Sequence, residues 1–346
     1  MNTIKFAIIG CGNIAPFHAE AIKNIDSAEL TAVCDLDKDR AEKLGEQYSV
    51  EAFSDFSVML EKADVDVVNI CLPSALHEKC TIEAAHAGKH IIVEKPLDIT
   101  IEKCDNIIAA CELNNVKLAV IYQNRFKKAV SMVENAINEG RFGKLTLADA
   151  QVKWYRSQEY YDSADWRGTW EFDGGGTLMN QSIHFIDILQ SLMGPVKSIS
   201  AKCATLAKNI EVEDTAVAIL QFENGALGVI EGTTAAYPGM FGRIGIHGSK
   251  GSAVIEGEAI TYWEFEDKQS GDENVVSSFT LKSSGGDNDP NSNFSHEGHK
   301  LQIEDMVKAI HKNRKPKIDG CEGRKAVEII KTIYRSSNEN SSSIEL

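Results

Sequence analysis

The sequence predicts an α/β chain: a doubly wound parallel sheet at the N-terminus, then a C-terminal α/β domain with a large, mostly antiparallel open sheet. Three observations predict it. Short, fully apolar runs alternate with segments of helical spacing through the first third. Strand-like runs joined by tight turns follow one another in the second half. Between the first apolar run and the first helical segment stands Gly10-Cys11-Gly12-Asn13-Ile14-Ala15.

The apolar runs 4–9, 30–34, 67–71, 90–93 and 118–121 have strand length and are bounded by Gly, Asp or Pro. Segments 13–24, 38–47, 74–87 and 101–114 repeat with helical period. Apolar strands separated by helices imply a parallel sheet covered on both faces. Beyond it, 126–139 reads as an amphipathic helix, 145–155 as a strand and 176–193 as one helix stopped at Gly194-Pro195. Strands at 196–206, 214–222, 226–235, 243–248, 253–256 and 260–265 are joined by turns such as Glu223-Asn224-Gly225. A polar stretch at 270–295 reads as a mobile excursion, and helices at 298–313 and 322–336 close the chain. The expected domains are 1–122 and 123–346, dividing at Gln123.

The length of 346 residues suits two domains. With 36 Lys+Arg against 51 Asp+Glu, the net charge of −15 opposes a general role with nucleic acid or anionic membrane. No apolar run reaches the ~18 residues of a membrane span, and the first residues read as a strand, not a signal peptide. The eight cysteines form no C-x-x-C pair, and several lie in apolar runs. They read as reduced thiols of a cytoplasmic protein, with no metal cluster.

Strand, glycine turn and helix together make a dinucleotide fingerprint, so the first domain is expected to be a Rossmann domain. Gly10 allows the tight turn, Gly12 lets the backbone approach a pyrophosphate, and Asn13 and Ile14 open a helix whose free N–H groups attract phosphate. Asp35, ending the second strand, suits the ribose hydroxyls and repels a 2′-phosphate. NAD is therefore expected over NADP, although nearby Lys38 and Arg40 keep NADP open. The loops at Leu72-Pro73 and Glu94-Lys95-Pro96 leave the C-terminal ends of strands, where ligands bind. His77, entering the helix after the first loop, joins this cofactor set, with a helix-cap or core role as its other reading.

The fingerprint, Glu94-Lys95-Pro96 and the run Gly174-Gly175-Gly176 through Asn180, His184 and Asp187 resemble the Gfo/Idh/MocA oxidoreductases over nearly the whole chain. The resemblance implies a Rossmann domain, a C-terminal domain whose open sheet mediates oligomerisation as a homodimer or homotetramer, and oxidation of a sugar hydroxyl. Lys95 and His184 are its candidate bases, and which of them takes the proton stays open. A lysine beside a positive nicotinamide becomes a better proton acceptor, and imidazole titrates in the working range. At i, i+4 and i+7, Asn180, His184 and Asp187 share one helical face, where Asp187 orients the imidazole or packs nearby. Many relatives carry Asp at the position of Asn180. An amide accepts no proton, so Asn180 suits a hydrogen bond to a hydroxyl. Gln123, Trp166 and Arg167 complete the expected cofactor set.

Residues 154–172 concentrate Trp154, Tyr155, Tyr160, Tyr161, Trp166, Trp170 and Phe172, with Arg156 and Arg167 among them. Aromatic faces suit a pyranose or a base, and arginines suit diphosphate and carboxylate. Motifs at 158–162, 166–175, 179–181 and 209–214 are similar to the branch of UDP-N-acetyl-2-amino-2-deoxy-D-glucuronate 3-dehydrogenases. That likeness implies a UDP-sugar substrate oxidised at C3 for surface-polysaccharide synthesis, in some members with NADH recycled by 2-oxoglutarate. The expected substrate residues are Lys95, Asn124, Arg125, Arg156, Asn180, His184 and His299. Lys127, Lys128 and Lys153 are further cations, and His299 is expected to close the site. A free-polyol dehydrogenase, an NAD-dependent glycoside hydrolase of the same fold and a non-catalytic NAD-binding protein are the competing readings.

Overall fold

A computed structural model describes residues 2–281 and 295–346. The chain forms two compact units, Met1–Gln123 with Ser295–Arg324, and Asn124–Phe294 with Lys325–Leu346. This corrects the expected second domain of 123–346. Ile303, Met306 and Val307 of the helix Glu297–His311 share a core with Ile4, Phe6, Ile8 and Ile22, so the segment returns to the first unit.

In the first unit, strands β1 (Ile4–Ile9), β2 (Ala28–Cys34), β3 (Glu51–Phe53), β4 (Val67–Ile70), β5 (His90–Val93) and β6 (Leu118–Val120) form a sheet of order β3-β2-β1-β4-β5-β6. Every pairing is parallel. The order reverses between β1 and β4, where such sheets open a crevice at their carboxyl ends. Helices α1 (Ala15–Lys23), α2 (Lys38–Tyr48), α3 (Phe56–Lys62), α4 (His77–His86) and α5 (Ile101–Leu113) connect the strands. Side-chain caps start three of them: Asp37 for α2, Asp55 for α3 and Thr100 for α5. Helix α1 has no side-chain cap, so none of its first amides is spent that way. The sequence reading missed β3 and α3. β3 has only three residues, of which Phe53 alone is buried, too few to show a period.

The second unit is built on an eight-stranded sheet of order β13-β12-β11-β7-β10-β9-β8-β14. Its strands are β7 (Leu145–Lys153), β8 (Val196–Ala204), β9 (Thr215–Phe222), β10 (Leu227–Thr233), β11 (Arg243–Gly248), β12 (Gly251–Glu256), β13 (Ala259–Phe265) and β14 (Ile344–Glu345). Only β7 and β10 pair in parallel among these described strands. Alternation along β9 buries Ala216, Ala218 and Leu220 and turns Val217 and Ile219 outward. Helices α6 (Lys128–Asn138), α7 (Gln158–Asp162) and α8 (Ile183–Met193) belong to this unit, and α8 packs on β7 and β11.

Two expectations are corrected here. The single helix expected over 176–193 is a π-helical turn, Thr177–Ser182, followed by α8. The excursion expected at 270–295 begins as a short helix, Asp272–Val275, whose Asp272 accepts from Trp263 and Arg141. Its remainder, 282–294, lies outside the described residues. Among the described residues, no helix is long and apolar enough to cross a membrane.

Candidate active site

β1 ends at the glycine turn. Gly10 has φ +88°, and a Cβ there would meet the Cys71 carbonyl oxygen at 2.5 Å, so only glycine fits. A Cβ on Gly12 would meet nothing within 4 Å, which leaves open space where a diphosphate must approach. Asn13 and Ile14 lead into α1. Asp35, just beyond β2, accepts from the Cys11 amide at 2.7 Å through Oδ2 and from the Asp37 amide at 2.9 Å through Oδ1. It therefore holds the turn itself, a role the sequence reading missed, and each oxygen keeps a lone pair for a ribose hydroxyl. Turn, uncapped helix and carboxylate fit the adenosine and diphosphate of NAD.

His77 is fully buried, with Nδ1 2.8 Å from the Pro96 carbonyl and Nε2 2.9 Å from the Leu72 carbonyl. Both ring nitrogens are engaged, so the expected cofactor ligand is a stitch between the Leu72-Pro73 and Glu94-Lys95-Pro96 loops. Glu94 faces inward. Its Oε1 lies 2.9 Å from His18 Nε2 and 3.4 Å from His299 Nε2, and its Oε2 accepts from the Lys95 amide at 3.2 Å. Asn69 donates to His18 Nδ1 at 2.9 Å, which leaves Nε2–H as the donor to Glu94. Burial pushes the Glu94 carboxyl up, but hydrogen bonds from His18 and His299 hold it well below the usual range. Burial keeps the His18 imidazole below its ordinary value.

His299 is 1% exposed and lies with His18 and Glu94 in this buried cluster. The donor atoms of His18, Glu94 and His299 lie within 4.8 Å of one another. Hydrogen bonds from Asn69 through His18 to Glu94 account for the first two, and His299 packs edge-on against His18 with ring centres 5.0 Å apart. Asn69, polar within the apolar strand β4, was the sequence signal that could have revealed it.

In the second unit Asn180 sits on the π turn and donates from Nδ2 to Asp173 at 2.9 Å. His184 and Asp187 follow on α8. The expected common face with Asn180 is altered, because a π turn closes i→i+5 bonds and holds more residues per turn than an α turn. Asp187 accepts from Arg125 through both oxygens, Nε at 2.7 Å and Nη2 at 2.6 Å. This corrects one expectation: Asp187 neutralises Arg125, so Arg125 is not an open cation. Asn124 is buried beside it, whereas Gln123, also buried, belongs to the first unit.

The remaining cations separate by partner. Lys127 pairs with Glu258 at 3.1 Å and Lys153 with Glu231 at 2.6 Å. Arg156 is buried, donating to the Tyr155 carbonyl at 2.9 Å and to Gln181 at 3.0 Å. Arg167 lies against the Tyr160 and Trp166 rings, 4.4 and 4.5 Å from their centres, and donates to the Tyr160 hydroxyl at 2.7 Å. Among the described residues Arg167 pairs with no carboxylate, so its charge is available to an anion.

Comparison with known proteins agrees with this geometry. Residues 4–122 match a family model described as an oxidoreductase family with an NAD-binding Rossmann fold, and 130–254 match the GFO/IDH/MocA C-terminal domain. The chain is 30% identical to a myo-inositol 2-dehydrogenase of Thermotoga maritima, over 77% of this chain and 79% of that protein. The structure of the WlbA dehydrogenase of Bordetella pertussis, in complex with NADH and UDP-GlcNAcA, is 35% identical, covers 100% of this chain and 99% of its own, and has a TM-score of 0.88. The WlbA dehydrogenase of Chromobacterium violaceum, in a complex with the same two ligands, is 36% identical, with coverage of 100% and 96% and a TM-score of 0.90. With an NAD-binding Rossmann unit and relatives that oxidise sugar hydroxyls, this chain belongs to the Gfo/Idh/MocA family and is an NAD-dependent sugar oxidoreductase.

Proposed function

We propose that the substrate is a nucleotide sugar, UDP-N-acetyl-2-amino-2-deoxy-D-glucuronate, oxidised at its C3 hydroxyl in surface-polysaccharide synthesis. The observation that carries this reading is Arg167, a cation without a carboxylate partner, held against Tyr160 and Trp166. A diphosphate or uronate needs such a charge, and a neutral polyol does not. The two WlbA relatives, crystallised with UDP-GlcNAcA, support it.

Bound NAD supplies the hydride acceptor. The backbone of Gly10 to Ile14 would hold its diphosphate and Asp35 its ribose, and Leu72, Pro73, Lys95, Gln123 and Trp166 would complete the cofactor set. Asn180 orients a sugar hydroxyl, Arg156 borders the sugar, and the hydroxyl proton passes to Lys95 or His184. Lys95→Met and His184→Asn, compared by pH-rate profile, identify the base: its loss removes the acidic limb, the fall of rate at low pH. The outward face with Leu147, Val217, Ile219 and Leu227 is the surface we assign to a homodimer or homotetramer.

A second reading, an inositol-type polyol dehydrogenase, is favoured by the relative at 30% identity. A screen of NADH formation with UDP-N-acetylglucosaminuronate and myo-inositol decides between them. Turnover of the UDP-sugar with a KM that rises with salt is expected. Turnover of myo-inositol alone, insensitive to salt, overturns the proposal.

A further inference from the structure

The π turn that carries Asn180 starts on one buried residue. Helix starts leave their first amides unpaired. Here Glu213, which precedes β9, takes three in succession. Its Oε2 accepts from the Gly176 amide at 2.9 Å, its backbone oxygen from the Thr177 amide at 3.0 Å, and its Oε1 from the Leu178 amide at 2.9 Å. The Tyr334 hydroxyl donates to the same Oε1 at 2.9 Å. Tyr334 comes from the helix Gly320–Asn338 and rests edge-on against Trp170, while Lys331, one turn earlier, donates to the Gly174 carbonyl at 3.0 Å.

The glycine run exists for this approach. A Cβ on Gly176 would lie 1.9 Å from the Glu213 carbonyl oxygen, and one on Gly175 2.0 Å from the Tyr334 hydroxyl. Burial and the neighbouring Glu213 keep the Tyr334 phenol well above its ordinary value, so it remains a donor.

An α start would place Asn180 and His184 about 40° apart around the helix. The π turn changes that angle and brings Asn180 to Asp173. We propose that Glu213 and Tyr334 are positioning residues of the dehydrogenase: they force the π register that aims Asn180 relative to His184. The proposal rests on the placement of Asn180 and His184 at the sugar.

The test compares Tyr334→Phe and Glu213→Gln with the wild-type full chain. Turnover is read with whichever of UDP-N-acetylglucosaminuronate and myo-inositol the wild type oxidises, so failure of the UDP-sugar reading leaves the test standing. Amide exchange over 174–184 and NADH affinity are read beside it. The expected result is at least about tenfold faster exchange in that segment, kcat reduced about tenfold or more, and NADH affinity within about twofold of wild type. Tyr334→Phe, which removes a single hydroxyl, keeps the comparison valid if Glu213→Gln fails to fold. Faster exchange with unchanged kcat reduces the clamp to a structural brace and overturns the proposal. Unchanged exchange overturns it as well, and so does a wild type that oxidises neither substrate.

Discussion

Arg125 and Asp187 are joined at two points, Nε to Oδ2 and Nη2 to Oδ1, with side-chain exposures of 7% and 1%. The planar guanidinium matches the carboxylate fork, and burial removes the screening that makes surface pairs weak. Removing one partner strands a buried charge. Asp187→Asn is expected to destabilise the second unit by about 3–5 kcal/mol, and the double replacement Arg125→Met/Asp187→Leu to restore much of that loss. Urea unfolding measures both; a loss below about 1 kcal/mol for the single variant would mean that water already screens the pair.

Stability should fall toward acid, and the sign follows from two groups. Burial lowers the His18 pKa, so as the pH drops past about 6.5 the unfolded chain takes up a proton that the folded chain refuses. Glu94, held low by His18 and His299 against its burial, adds a second loss as the pH drops below about 4.3. Both contributions are fully present above these unfolded values. His18→Gln is expected to flatten the dependence between about pH 7 and 5, read from unfolding free energy against pH. An unchanged slope would exclude His18 as its source.

The two turn glycines should behave differently. Gly10→Ala forces a positive φ and a 2.5 Å contact with the Cys71 carbonyl, and is expected to cost about 1–3 kcal/mol of stability as well as NADH binding. Gly12→Ala meets nothing in the protein, so it should keep the wild-type melting temperature and still weaken NADH binding. Fluorescence titration with NADH, beside thermal melts, separates them. A Gly12→Ala variant with wild-type affinity would place the diphosphate elsewhere.

Thiol reactivity should single out Cys321, the exposed cysteine among the eight. Burial, with Asp35 beside them, pushes Cys11 and Cys34 up to about 12, and burial acts alike on Cys104, Cys111 and Cys203. A thiol reagent near neutral pH is expected to modify one cysteine quickly in the folded chain and the others only on unfolding. Mass spectrometry locates the label; rapid modification of Cys11 would mean that the glycine turn opens in solution.

What the sequence made legible was local. Five strands of the first unit read clearly because each lies in a short, mainly apolar run, and the glycine turn and Asp35 lie within one βαβ stretch. The π turn did not, since the apolar spacing from Leu178 to Ile186 fits an α-helix. Its cause, Glu213, lies 37 residues downstream of Gly176. The same limit applies to charge. Arg125 and Arg167 look alike in sequence, and only a partner 62 residues away makes Arg125 neutral. His299 was assigned by its place after the polar stretch, yet its segment belongs to the first unit.

That return of the chain has a consequence for synthesis on the ribosome. When β6 has emerged, the first unit still lacks Ile303, Met306 and Val307 over its core and His299 beside Glu94. When β13 has emerged, the second unit still lacks Tyr334 against Glu213 and β14 at its sheet edge. Neither half can finish before residues 297–345 are made, so both mature only after that stretch has emerged. A nascent chain halted at Phe294 would expose two unfinished cores at once.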